Sequence, residues 1–153
     1  MITIKSEEEI KIIREGGKIL AEIIEELKKK VQPGITTKEL NRVAETLVFE
    51  SGAEPAFKGY ENFPAALCTS VNQVIVHGIP SDYKLKKGDI ISLDLGIKYQ
   101  GFFSDMSITV PVGQIKPEVS RLIEVTEKSL ELAIENVRPG ITFGDIGSII
   151  QKY

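Results

Sequence analysis

Apolar residues near the start of the chain recur at steps of three and four: Ile10, Ile13, Gly17, Leu20, Ile24 and Leu27. That spacing predicts one stripe of an amphipathic helix. Ser6 and Glu9 make a capping box at its start, and Lys28, Lys29 and Lys30 lie where the helix dipole favours cations. The helix therefore runs from the Ser6 cap to about residue 30, and Met1 to Lys5 is a short strand or arm. Pro33-Gly34 breaks it. Thr36 with Glu39 is a second capping box, and Leu40, Val43, Ala44, Leu47 and Val48 mark the core face of a helix over 37–51, stopped by Gly52.

Periodicity then changes. Residues 53–64 have the Gly, Pro and aromatic content of a structured loop, and strands follow over 67–70 and 73–76, ending at His77-Gly78-Ile79-Pro80. A polar connector over 82–87 leads to the most informative stretch, 88–113. There Ile91, Leu93, Leu95 and Ile97 alternate with Ser92, Asp94 and Gly96, and Met106, Ile108 and Val110 alternate with Phe103, Asp105, Ser107 and Thr109. Two strands joined by a turn at Lys98-Tyr99-Gln100-Gly101 result, with Asp94 and Asp105 on the polar face of each. A turn centred between Tyr99 and Gln100 makes them direct cross-strand partners. Like charges in that position destabilise a ladder, so a shared proton, a nearby cationic side chain or one or two divalent cations must offset them.

After Gly113 helical spacing returns. Pro117 opens a helix whose buried side is expected at Leu122, Val125, Leu130, Ala133, Ile134 and Val137, and another begins at 144–153. Val31-Gln32-Pro33-Gly34-Ile35-Thr36 matches Val137-Arg138-Pro139-Gly140-Ile141-Thr142 in five of six positions, each copy between a long helix and a shorter one. The expectation is a duplicated architecture: a single domain with 1–113 as first repeat and 114–153 as the start of a second, cut slightly past the midpoint.

The totals narrow the class. At 153 residues the chain supports one domain with a real core. Its 19 basic and 22 acidic residues give a net charge of −3, which argues against nucleic acid as a direct ligand. No run is apolar enough for a membrane span, and a cytoplasmic setting is the expectation. Cys68 and His77 are the sole Cys and His, so Cys-rich or multi-His zinc sites are excluded within the chain. Two aspartates cannot saturate a divalent pair, so a metal there needs donors from elsewhere. His77, at a strand end, is placed for proton transfer or for holding a carbonyl, and Tyr60, Phe63 and Cys68 could line a small apolar pocket or belong to ordinary core.

As a set, FKGYENFPAALCTSVNQVIVHGIP at 57–80 and KKGDIISLDLGIKYQGFFSDMSITVPVG at 86–113 resemble the type I methionine aminopeptidases of the bacterial kind, and the similarity runs through essentially the whole chain. The resemblance implies the pita-bread fold, a pseudo-two-fold α/β (α+β) arrangement of two related halves. It also implies two divalent metal ions (Co, Mn, Fe or Zn), with Asp94 a bidentate ligand of one and Asp105 bridging both. His77 matches a histidine that contacts substrate and assists proton movement. Tyr60, Phe63 and Cys68 match positions lining the methionine pocket, while Phe57 stands where some relatives carry Cys.

The family's remaining ligands, one His and two Glu, belong to its second half and have no counterpart in these residues. The implied activity is removal of the initiator methionine from the N-termini of nascent polypeptides, with the 153-residue chain alone expected to be inactive and to self-associate through an exposed half-core. Two alternatives stay open. A non-catalytic pita-bread binding module is disfavoured by retention of Asp94, Asp105 and His77, and a prolidase-like aminopeptidase by the match over 60–80.

Overall fold

The computed structural model describes residues 3–153, so the expectation for Met1 to Lys5 falls partly outside the described residues; Thr3 to Lys5 carry no regular structure. Two compact units are present, 1–114 and 115–153.

In the first unit, α1 (Glu7–Lys30) and α2 (Thr37–Glu50) both begin with the expected capping boxes, Ser6 with Glu9 and Thr36 with Glu39. The α1 stripe is rotated from the expected one near its start. Gly16 rather than Gly17 is buried, against Ser104 and Tyr99 of the hairpin, and Ile10 is largely exposed. Both glycines fit a 3.6-residue stripe, but only Gly16 packs closely on the hairpin, where an added Cβ would lie 3.2 Å from Ser104 Oγ, while Gly17 faces open space.

The sheet consists of β1 (Glu54–Pro55), β2 (Leu67–Val71), β3 (Ile90–Tyr99) and β4 (Phe102–Pro111). All pairings are antiparallel. β1 and β2 pair with successive stretches of β3, residues 97–98 and 91–95, so they share one edge while β4 takes the other. One face is apolar. Ile91, Leu93, Leu95 and Ile97 are fully buried in one cluster with Leu20, Ile24, Leu27, Leu40 and Val48 of the two helices. Each such side chain contributes about 1.5–3 kcal/mol of transfer free energy. The opposite face carries the small and polar residues of the alternation, including Asp94 and Asp105.

Side chains pin the loops to this frame. Asn41 Oδ1 of α2 accepts from the N–H groups of Ala66 and Leu67, fixing the entry to β2. Thr37 Oγ1 exchanges hydrogen bonds with the Ser81 backbone, and Gly34 with Leu85 and Thr37 with Tyr83 tie the α1–α2 turn to the connector.

The second unit holds α3 (Pro117–Glu135) and α4 (Phe143–Lys152). Its turn repeats the local features of the first. Gly140 has φ of 91° against 96° at Gly34, Ile141 and Ile35 each donate to the carbonyl three residues before, and Thr142 with Asp145 forms a capping box. The expected buried side of α3 is not buried: Leu122, Leu130, Ile134 and Val137 are all more than half exposed, and only Ala133 is fully covered. Helical periodicity tells which residues share a side, not whether another element covers it. Among the described residues no helix is long and apolar enough to cross a membrane.

Candidate functional site

The two aspartates lie on one face of adjacent antiparallel strands, but they are not direct partners. Asp94 pairs with Ser107 and Asp105 with Gly96, so the carboxylates sit on a diagonal. The turn explains the difference. Gln100 and Gly101 both have positive φ, 47° and 88°, and Tyr99 pairs with Phe102, which is a two-residue hairpin loop of the type whose twist matches the strands. The chain turns one residue later than the sequence suggested. That moves the register by two and therefore leaves both carboxylates on the same face.

Electrostatics carry the mark of this arrangement. Burial, then the charge of Asp105, raises the Asp94 carboxyl above its ordinary value, with His77 pulling the other way. Cys68, register partner of Asp94, is buried, and burial followed by the charges of Asp94 and Asp105 pushes its thiol up to about 11. At neutral pH it is a neutral thiol, suited to lining a pocket and not to acting as a thiolate.

His77 arrives differently from the expected strand end. No strand forms over 73–76: β2 ends at Val71, Asn72 turns the chain with φ of 52°, and Val74, Ile75 and Val76 are exposed. The β-branched run has the composition of a strand, but the positive φ at Asn72 takes it off the sheet edge. The chain returns at Gly78, which accepts from the Thr69 N–H at 2.7 Å and donates to Ser70 Oγ at 3.1 Å. A Cβ on Gly78 would lie 2.3 Å from the Thr69 carbonyl oxygen, so the return requires glycine. His77 itself has φ of 57°.

Tyr60, Phe63, Cys68, His77, Asp94 and Asp105 all line one cleft of about 650 Å³, together with Phe57, Ile79, Gly96 and Phe103. Every candidate drawn from the sequence is thus in one place. Phe57, noted in the sequence as standing where some relatives carry Cys, lines the cleft too, but its close approach to the sheet was missed. Its ring lies so close to the sheet that a Cβ at Gly96 would come 2.5 Å from it, and a glycine inside an otherwise regular strand was the available signal of such a close approach. Asp89 was also missed. It is buried and accepts from Asn72 Nδ2, the Tyr83 hydroxyl and the Lys86 N–H, and no periodicity marks a loop carboxylate for that role.

The donor chemistry fits a divalent cation in part. A carboxylate pair sharing a face, one member raised by burial and by the other, is the kind of repulsion that a cation relieves. Among the described residues, no group of three or more His, Cys, Asp or Glu side chains is placed to hold an ion. Asp94 and Asp105 can therefore supply some of the oxygens of such a site but not its whole coordination.

Comparison with known proteins extends these observations. Over all 153 residues the chain is 48% identical to the methionine aminopeptidase of Clostridium perfringens, spanning 61% of that protein's length. The crystal structure of methionine aminopeptidase from Rickettsia prowazekii superposes with a TM-score of 0.97 at 39% identity, with this chain wholly covered and 62% of the other. The prolidase from Pyrococcus horikoshii follows at a TM-score of 0.86 and 30% identity, covering 97% of this chain and 42% of that one. The architecture is thus the pita-bread fold of both groups, and the chain spans less than two thirds of the relatives it matches. The model of metallopeptidase family M24 matches residues 11–153, and the chain belongs to that family.

Proposed function

We propose that the chain is the N-terminal portion of a methionine aminopeptidase, in which 1–113 is one repeat and 114–153 begins the second. Membership of a metallopeptidase family implies use of a divalent metal. Asp94 and Asp105 are the residues of this chain that would hold it, as part of a site for two ions completed by donors that these residues do not supply. When bound, such ions lower the pKa of a water and polarise a peptide carbonyl, which is the chemistry that amide hydrolysis needs.

The chain's own residues supply binding and orientation. Phe57, Tyr60 and Phe63 with the neutral thiol of Cys68 make an apolar floor and wall beside the carboxylates, suited to an unbranched thioether side chain, whose sulfur gains from aromatic contacts. His77, on the rim of the same cleft, is placed to donate to a substrate carbonyl or to pass a proton. The substrates are N-termini of nascent polypeptides, and the setting is the cytoplasm. The observation that carries the proposal is the convergence of both aspartates, the only histidine and the aromatic wall on one cleft.

A Met-Ala-Ser peptide with manganese or cobalt provides the test. Joined to the remaining portion of a methionine aminopeptidase, the chain is expected to release methionine, and Asp105→Asn to abolish release. The 153 residues alone are expected to release little. Undiminished release by the Asp105→Asn fusion would refute the proposal.

A further inference from the structure

We infer that Asp89, acting through Asn72, is a positioning residue for His77: it fixes one end of the loop whose other end is Gly78. The inference rests on the reading of His77 as a group of the site. Left-handed backbone at a residue with a side chain costs about 1–3 kcal/mol and persists only where the surroundings over-determine it. His77 is such a residue, and its own neighbours do not hold it, because Gln73, Val74, Ile75 and Val76 are all exposed. The loop is held at its two ends. At one, Gly78 bonds to Thr69 and Ser70 of β2. At the other, Asn72 bonds to Ile90 twice, its N–H donating to the Ile90 carbonyl and its Oδ1 accepting from the Ile90 N–H, both at 3.0 Å.

Asn72 can make that second bond only if its side chain is oriented, and Asp89 orients it. Asp89 Oδ1 accepts from Asn72 Nδ2 at 2.9 Å. Oδ2 accepts from the Tyr83 hydroxyl and from the Lys86 N–H, each at 2.9 Å. Asp89 is only 8% exposed, and both of its carboxylate oxygens accept from donors of the protein, three in all. A buried acceptor network of this kind specifies one arrangement and loses it when one member is changed. The effect is transmitted along six residues of backbone from Asn72 to His77, with no contact between Asp89 and the cleft required.

The donor and acceptor roles permit an exchange. In Asn72→Asp/Asp89→Asn, the new carboxylate at 72 accepts from the Ile90 N–H and from the amide at 89, whose oxygen accepts from Tyr83 and Lys86. Asp89→Asn alone places two amides against each other and leaves that exchange incomplete. Asn and Asp both tolerate the positive φ at position 72.

Because His77 is the only histidine, its imidazole Cε1–H signal in the labelled full chain is unambiguous. The experiment follows that signal at one fixed pH together with hydrogen exchange of the Thr69 amide, which donates to Gly78. Asp89→Asn is expected to shift and broaden or split the His77 signal and to speed Thr69 exchange by about tenfold relative to Val48→Ala, a remote core variant matched for loss of melting temperature. The exchanged pair is expected to restore both readouts. Should Asp89→Asn fail to fold, Tyr83→Phe, which removes one donor to the carboxylate, is read in the same way and must move both readouts in the same direction. An Asp89→Asn or Tyr83→Phe chain whose His77 signal and Thr69 exchange match the Val48→Ala control overturns the inference. Neither readout depends on metal or on peptide hydrolysis, so failure of the proposed function would be seen separately, as loss of methionine release.

Discussion

Gly78→Ala is the substitution that the backbone tolerates least. The new methyl carbon would lie 2.3 Å from the Thr69 carbonyl oxygen, 2.7 Å from its carbon and 2.9 Å from Ser70 Cα, all backbone atoms of a buried strand. Ordinary contact is about 3.5 Å, so the returning loop must retreat by about 1 Å. That breaks the Thr69 N–H bond to Gly78 and the Gly78 N–H bond to Ser70 Oγ, at strand residues each 4% exposed. Two buried groups left without partners cost together about 2–6 kcal/mol. For a chain of this size the melting temperature falls by roughly 4–24 °C. His77 moves with its neighbour, so the environment of its imidazole changes as well. Circular dichroism melting and the His77 imidazole signal read both effects. A variant melting within about 1 °C of the parent, with the His77 signal unmoved, would show that the chain returns to β2 without needing glycine at 78.

Gly17→Ala is expected to stabilise by about 0.5–1 kcal/mol, because Gly17 sits in an exposed turn of α1 with open space where a Cβ would go, and a thermal melt checks it. Asp94→Asn is expected to raise the melting temperature of the metal-free chain at neutral pH, because it removes a charge disfavoured by burial and then by Asp105. Since the folded carboxyl titrates above its unfolded value, the parent fold gains as pH falls through that raised value, and the advantage of the Asp94→Asn variant over the parent should vanish below about pH 4. Asp89 has the opposite sign. Burial pushes its carboxyl up, but bonds from Asn72, the Lys86 N–H and Tyr83 outweigh this and hold it below the ordinary value. Its contribution is complete above about pH 4 and is lost as pH falls through the lower folded value, so the melting deficit of Asp89→Asn should shrink in acid.

The helices and the two faces of the sheet were legible because each rests on a local signal: capping boxes at Ser6 and Thr36, and alternation over Ile91 to Ile97 and over Phe103 to Val110. Alternation also protected the placement of Asp94 and Asp105. An error of one residue in the turn shifts the register by two, and parity keeps the face. What was not legible depends on tertiary neighbours. The run over 73–76 has strand composition, but Asn72 adopts a positive φ stabilised by Asp89, a residue seventeen positions away. Phe57 over Gly96 is a contact between a loop and a strand, and whether α3's apolar side is covered is a property of packing and not of period.

The proposed function places a divalent ion at Asp94 and Asp105 together. Titrating the labelled chain with manganese while recording backbone amide signals tests it most directly, because the paramagnetic ion broadens signals in order of proximity. Signals around Asp94, Gly96, Asp105 and Ser107 are expected to be lost first, and Asp94→Asn or Asp105→Asn to remove this preference. Broadening centred on another acidic stretch, such as Glu7, Glu8 and Glu9 at the start of α1, or unchanged by either substitution, would contradict it.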